Sequence, residues 1–359
     1  MNKKIYLVSG VLGLQAYSTR VVSKGLKEGF ERQGWNVVDV VLKPKATLEQ
    51  GKWKIVKEVL YRYFIFPRYC KKIIPKNAMV YIADHADATV IPYIDSKNIY
   101  LHMHDLTSLR PIYDFPYKVK FKNILIFILS YFFKRPGIKK AKHIFAISNF
   151  TKQEIIKYLN VERKNISVAY NGVITPEFNY ENQGDYLKKI KKSSDKLTIM
   201  TVGPASLRKN YQVIVKALLS CNNSINWVHV GKFDQQTRIS LQHLAINISV
   251  SEIPHIENIG DIYQRADILI QASLYEGFGL PPIEAMRLNT AVFSYDIPVA
   301  REVYQEHAKY FENENELLKL INNYQHDKVA IEKAFYFSQK YNWITCSKLI
   351  SKKITDSMY

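Results

Sequence analysis

Cysteine is scarce in this chain of 359 residues: Cys70, Cys221 and Cys346 are the only three, and they lie far apart. That spacing suits neither a metal-ligand cluster nor a disulfide framework, and it favours a reducing cytosol. Long apolar runs are missing too. Ile124–Phe133 and the aromatic WKIVKEVLYRYFIF at 53–66 stop short of the roughly 18 to 20 apolar residues that a spanning helix needs. The opening MNKKIYLVSGVLGL has lysines before an apolar stretch but no small-x-small cleavage site. Glycines at 10 and 13 interrupt it, so it reads as a first strand entering a loop rather than a secretion signal. There is no tandem repeat or low-complexity tract, no Asp-x-Asp beside a strand end, and no zinc-finger, RNA-recognition or basic-zipper pattern.

Acid is in short supply where base is plentiful. The whole chain carries +19, and residues 1–75 hold fifteen Lys/Arg against five Asp/Glu. Residues 115–142 hold eight Lys/Arg and no acid. These two segments carry +10 and +8, so the excess sits in the first 142 residues. Without a nucleic-acid motif, an anionic membrane surface is the partner that fits. Basic flanks beside an apolar, aromatic stripe suit a helix lying in the interface, with Lys118, Lys120, Lys122, Lys134 and Arg135 meeting the lipid charge. A core-facing helix with solvated lysines at its ends is the other reading, and the sequence leaves both open.

Strand-like runs alternate with helical ones from end to end. KIYLVSG precedes a helical pattern over about 19–33, then WNVVDVVL, AMVYIA, NIYLHMH and HIFAIS follow, with a helix opening at Asn149. LTIMTVG, NYQVIVKALLS, INWVHVG and TAVFSY repeat the scheme. Such alternation predicts an α/β protein of parallel sheets with helices on both faces. The polar stretch at 179–195 divides it into an N-terminal domain over 1–178 and a C-terminal domain over 196–339. Doubly wound domains bind ligands at the carboxyl ends of their strands, so the active site is expected in the cleft between them.

One stretch, SLYEGFGLPPIEAM at 273–286, carries the chemistry. It follows the apolar ADILIQAS, and its two prolines suit a helix start, so it predicts strand, glycine loop and a helix opening near Pro282 with Glu284 in its first turn. Glycines there let backbone N–H groups approach an anion, and the helix dipole favours negative charge. A diphosphate suits that site. Glu276 and Glu284 then accept hydrogen bonds from hydroxyls of two sugars, one on each side of the phosphates, which is the layout of a nucleoside-diphosphate sugar. The plainer reading makes Glu284 a complement to the helix dipole and Glu276 an ordinary loop carboxylate.

The stretch resembles the signature of family-4 retaining glycosyltransferases, whose motif is Glu-x7-Glu with a glycine-rich loop between. TVGPASLRKN (201–210) is similar to the family's strand, glycine turn and Arg-Lys-Asn segment. AISNFTKQEIIKYLNVERKNISVAYNGV (146–173), YLHMHDL (100–106) and YNWITCSKLI (341–350) resemble further family segments in the family's order. The resemblance implies a GT-B fold, two doubly wound Rossmann-like domains facing across a cleft, with the helix over 340–359 packing back on the first. It implies a retaining hexosyltransferase of polysaccharide biosynthesis on a nucleotide-sugar donor; with no Asp-x-Asp and no His/Cys ligand cluster, and with cations expected at the diphosphate, it is expected to work without a metal or other cofactor. The acceptor is then a glycan or glycolipid, met at the cytoplasmic face of the membrane, with no nucleic-acid partner.

The same resemblance implies roles by position. Arg208 and Lys209 hold the donor diphosphate and stabilise the charge on its departure. Glu284 binds the ribose hydroxyls, and Glu276 holds the transferred sugar without acting as a covalent nucleophile. Gly203 and the backbone of Gly277, Phe278, Gly279 and Leu280 line the sugar and phosphates, and Gly10 and Gly13 form a first-strand loop near the donor or acceptor. His104 reaches the sugar, while His102, two residues earlier, is expected on the opposite face of its strand. Departures from the family pattern are Asn289 for a helix-ending glycine, Pro204 beside the turn glycine, and Arg301 where proline is usual. A sugar-nucleotide epimerase and a non-catalytic basic membrane- or nucleic-acid-binding protein on the same scaffold are the alternatives.

Overall fold

The computed structural model describes residues 3–14, 17–44, 54–118, 124–175, 196–254, 256 and 259–357. The chain forms two compact units: Met1–Phe115, Val119–Gly172 and Tyr341–Tyr359 make the first, and Pro116–Lys118 with Val173–Lys340 the second. The stretch at 179–195 read as a linker lies outside the described residues.

The first unit is a parallel sheet of β1 (Lys4–Val11), β2 (Asn36–Leu42), β3 (Val80–Ile82), β4 (Ile99–Met103), β5 (His143–Ala146) and β6 (Ile166–Val168), in the order β2-β1-β3-β4-β5-β6. The inner strands β3, β4 and β5 are buried from end to end because both faces of the sheet are covered. Tyr6, Val8, Val80, Ile82 and Leu101 pack on one face, while Ile5, Leu7, Tyr81, Tyr100 and Phe145 pack on the other. The covering helices are α1 (Tyr17–Arg32), α2 (Lys54–Leu60), α3 (Phe66–Ile73), α4 (Ile124–Lys140) and α5 (Asn149–Leu159), with a π turn at Tyr61–Ile65 joining α2 to α3. Helix α5 opens where Ser148 accepts from the backbone N–H of Thr151, as its sequence start predicts.

The second unit repeats the plan with β7 (Leu197–Val202), β8 (Ile225–Val230), β9 (Ile248–Ile253), β10 (Ile268–Gln271), β11 (Ala291–Tyr295) and β12 (Lys309–Phe311). The helices are α6 (Tyr211–Leu219), α7 (Gln235–Leu241), α8 (Gly260–Arg265), α9 (Leu280–Arg287), α10 (Pro298–Tyr304), α11 (Glu314–Asn322) and α12 (Lys328–Ser338). The parallel order β12-β11-β10-β7-β8-β9 reverses direction between β7 and β10. That reversal is a topological switch point, where the connections leave to opposite sides and open a crevice at the carboxyl ends. The last helix, α13 (Trp343–Asp356), belongs to the first unit. Its Trp343, Cys346, Ile350 and Ile354 enter the core beside Val22, Leu26 and Phe30 of α1, and Trp35 Nε1 donates to Ser351 Oγ at 3.0 Å.

Helix α9 opens at Leu280, with Gly279 as its N-cap. Glu284 therefore stands in the second turn, not the first. The two prolines fit inside the opening turn because their missing N–H groups are among those a helix start leaves unbonded.

Candidate active site

The switch point of the second sheet brings two loops together. After β7 the chain turns through Gly203, then through a short 3₁₀ turn (Leu207–Lys209) whose Ser206 cap accepts from the Lys209 N–H. After β10 comes the loop 272–279. Backbone ties the loops directly, since Leu274 N donates to the Arg208 carbonyl at 2.9 Å. Arg208 Nη1 donates to the Tyr275 carbonyl at 3.0 Å.

Side chains from the two loops meet there. Glu276 places one carboxylate oxygen 2.8 Å from Arg208 Nη1 and the other 2.8 Å from Lys209 Nζ. Gln271 Nε2 donates to Glu276 Oε1 at 3.2 Å. Burial alone would raise the Glu276 carboxyl, but Arg208 and Lys209 overcome that and hold it at about 2. Lys209 is pushed down by burial, and the Glu276 charge offsets part of the shift. The sequence reading kept the sugar-binding carboxylate apart from the phosphate-binding cations; the fold joins them in one ion-paired group.

Phe278 and Gly279 are buried, and the Tyr304 hydroxyl holds this part of the loop by donating to their carbonyls at 3.2 and 3.3 Å. Gly279 has φ +83°, and a Cβ there would stand 1.8 Å from the Tyr304 oxygen, so the position admits glycine only. Gly277 is buried and Leu280 is half-buried at the helix start. Gly203 has φ +107° beside the Lys209 side chain.

Glu284 accepts from the Tyr263 hydroxyl at 2.7 Å. Burial raises its carboxyl to about 7, while the Tyr263 hydrogen bond and the Arg287 charge pull the other way. Arg287, one turn on, is fixed by the Val173 carbonyl at 2.6 Å and the Ser338 carbonyl at 3.4 Å.

The first unit holds the remaining candidates. His104 Nε2 lies 2.9 Å from the Ala83 carbonyl, which can only accept, so that nitrogen carries a proton. His102 is fully buried between Tyr81 Oη at 2.8 Å and Asn171 Oδ1 at 2.9 Å. Burial drives it down to about 3, so it stays neutral. The expectation that it faces away from His104 is wrong: side chains two apart in a strand share a face, and the rings are 5.2 Å apart. Gly10, expected in the loop, lies inside β1 at a register shift against β2 with φ +95°, because the bulge needs a left-handed residue there; Gly13 is in the turn after β1 with φ +86°. Lys134, counted from sequence among the lipid-facing cations, is 5% exposed and donates to Ser108 Oγ at 3.1 Å. Helical spacing turns it inward. Lys120 and Lys122 lie outside the described residues.

A glycine-turned loop, a helix start and paired cations at a switch point suit a phosphorylated donor. Known families match both halves of the chain. The model of glycosyl transferases group 1 matches residues 182–340, and that of glycosyltransferase family 4 matches residues 20–176. The chain belongs to the group 1, family 4 glycosyltransferases.

This glycosyltransferase is 27% identical to the O-antigen chain mannosyltransferase RfbU of Salmonella typhimurium, across 94% of its own length and 90% of the relative's. Among solved structures, sucrose-phosphate synthase from Thermosynechococcus elongatus superposes with a TM-score of 0.74 at 14% identity, over 99% of both chains. Anabaena Alr3699/HepE in complex with UDP and glucose gives 0.70 at 13% identity, over 99% of this chain and 100% of that one. These likenesses make the fold GT-B. Sequence reasoning missed Tyr263, Tyr304 and Gln271. The first two reach the site from α8 and α10 as buried aromatic residues, and a buried tyrosine carries no sequence signal for where its hydroxyl lands.

Proposed function

We propose that this glycosyltransferase moves a hexose from a nucleoside-diphosphate donor to a glycan acceptor, retaining anomeric configuration and needing no metal. The observation that carries the reading is the Arg208–Glu276–Lys209 group. When the bond from the sugar to the diphosphate breaks, its electron pair goes to the departing phosphate oxygen. Arg208 and Lys209, preoriented by Glu276 in a largely buried site, meet that charge. A carboxylate held near pKa 2 between two cations is a poor nucleophile, which supports a hydroxyl-binding role for Glu276 over a covalent one. Glu284 takes the ribose hydroxyls, and the Gly277–Leu280 backbone lines the sugar and phosphates. The RfbU likeness makes mannose the first sugar to test.

The acceptor in this reading is lipid-linked or surface-destined, and the enzyme works at the cytoplasmic face of an anionic membrane. The +19 charge and its concentration in the first 142 residues support this. The test is a screen of nucleotide-sugar hydrolysis, followed by NMR of the product's anomeric proton. Hydrolysis of a single nucleotide sugar with retained configuration is the expected result. Inverted product would overturn the retaining assignment, and no turnover of any donor would overturn the reading of the cation pair.

A further inference from the structure

Helix α4 is built inside out. Its buried stripe is Ser130, Lys134, Gly137 and Ile138, at helical spacing. Gly137 lies so close to the segment after β3 that a Cβ would stand 2.1 Å from the Ala88 carbonyl oxygen. The outward side carries Ile128, Tyr131, Phe132 and Phe133, with Phe132 67% exposed. A helix facing water shows the opposite arrangement, with its lysine outside and its aromatic residues inside.

A second element extends this apolar surface. Val56, Leu60 and Phe64 follow one another at four-residue steps through α2 and the π turn, and all three are exposed. The Phe64 and Phe133 rings are 6.1 Å apart, and those of Tyr63 and Phe133 are 5.1 Å apart, so the two elements present one face. The chain around it is basic: residues 54–73 hold six Lys/Arg and a single acid, Glu58, and residues 115–142 hold no acid. Helix α4 has 17 residues, and among the described residues no helix is long and apolar enough to cross a membrane.

We propose that this face, formed by α2 with its π turn and by α4, docks flat on an anionic lipid bilayer, with Phe64, Ile128, Phe132 and Phe133 entering the boundary between headgroups and acyl chains. The proposal rests on the reading that the enzyme works at a membrane. Its apolar side chains supply burial, and the flanking Lys57, Arg68, Arg135 and Lys139 supply attraction to anionic headgroups. A second copy of the same face is a poor occupant, because a two-fold contact would set these cations against their own counterparts.

The experiment is co-sedimentation with phosphatidylglycerol and with phosphatidylcholine vesicles at low salt. It compares the wild type with Phe64→Ser/Ile128→Ser/Phe132→Ser and with the control Tyr336→Ser, an exposed aromatic position of the second unit. Wild type and control should bind the anionic vesicles, while the triple variant partitions about tenfold less or worse, in line with lost apolar burial, and keeps its rate of donor hydrolysis. If the triple variant does not fold, Phe132→Ser alone should weaken partitioning in the same direction. A wild type that binds beside variants that bind equally well overturns this face and leaves the membrane reading standing. A wild type that ignores phosphatidylglycerol overturns both. Light scattering that shows a wild-type dimer broken by the same substitutions would make the face a self-contact, and the proposal wrong.

Discussion

Glu276 and Lys209 are 67 residues apart in sequence and 2.8 Å apart in space, carboxylate to ammonium, in a site that burial closes around both. Arg208 completes the group from the other carboxylate oxygen. The loop after β10 thus carries its own internal anion, which holds the two cations in place.

Removing that anion should separate binding from chemistry. Glu276→Ala is expected to abolish transfer, because the hydroxyl acceptor for the sugar is gone. Nucleoside diphosphate should still bind near neutral pH, since both cations lose their internal competitor. Lys209 also loses the charge that offsets its burial, so it gives up its proton at lower pH than in the wild type and diphosphate affinity weakens sooner as pH rises. Isothermal titration at two pH values checks both parts; near-wild-type transfer by the variant would sink the assignment.

Glu284 titrates at about 7, raised from 4.5 by burial, and Tyr263 pulls against that rise. Ionised Glu284 is the better acceptor for ribose hydroxyls, so nucleotide affinity should fall as pH drops below about 7. Tyr263→Phe should move that fall to higher pH and raise KM more than it lowers kcat, with affinity recovering in alkali. Glu284→Ala should lose on the order of 1.5–3 kcal/mol of nucleotide binding and flatten the profile. An unshifted profile in Tyr263→Phe would show that the hydroxyl does not position the carboxylate.

The same two carboxylates act on stability in opposite senses. Glu276 is depressed to about 2, so its contribution is present above pH 4.5 and is lost as pH falls through the range down to about 2. Glu284 is raised to about 7, so its contribution is full below pH 4.5 and is lost as pH climbs through 7. Denaturant melts of Glu284→Gln should therefore lose the part of the stability decline between pH 4.5 and 7 that wild type shows.

Gly279→Ala should be the most damaging conservative change in the loop. Its Cβ would meet the buried Tyr304 hydroxyl, and φ of +83° adds strain. Overpacking of this type costs about 1–3 kcal/mol, and it would move the backbone that lines the donor. Thermal melts should show the loss, and adding Tyr304→Phe should restore part of it by removing the clashing oxygen.

Activity should survive a chelator. In the proposed mechanism Arg208 and Lys209, held by Glu276, supply the positive charge that a divalent ion would otherwise provide. Loss of turnover in EDTA, with recovery on added magnesium or manganese, would make the role given to these cations incomplete.

The sequence by itself determined the alternation of strands and helices, the two-domain plan and the loop that carries Glu276. Each of these follows from local pattern: apolar runs of strand length, Pro281 and Pro282 at a helix start, and glycines where a chain must turn. Tertiary structure decided what local pattern cannot reach. That Glu276 pairs with residues nearly seventy positions earlier follows from β7 and β10 being neighbours at the switch point, a matter of strand order. That Lys134 faces inward and Phe132 outward depends on which side of α4 meets the segment after β3, where Gly137 allows close approach. The same composition would serve either orientation, so the charge count could not tell that Lys134 turns inward. Tyr263 became part of the site because α8 packs against α9 and buries a ring whose hydroxyl stands 2.7 Å from Glu284.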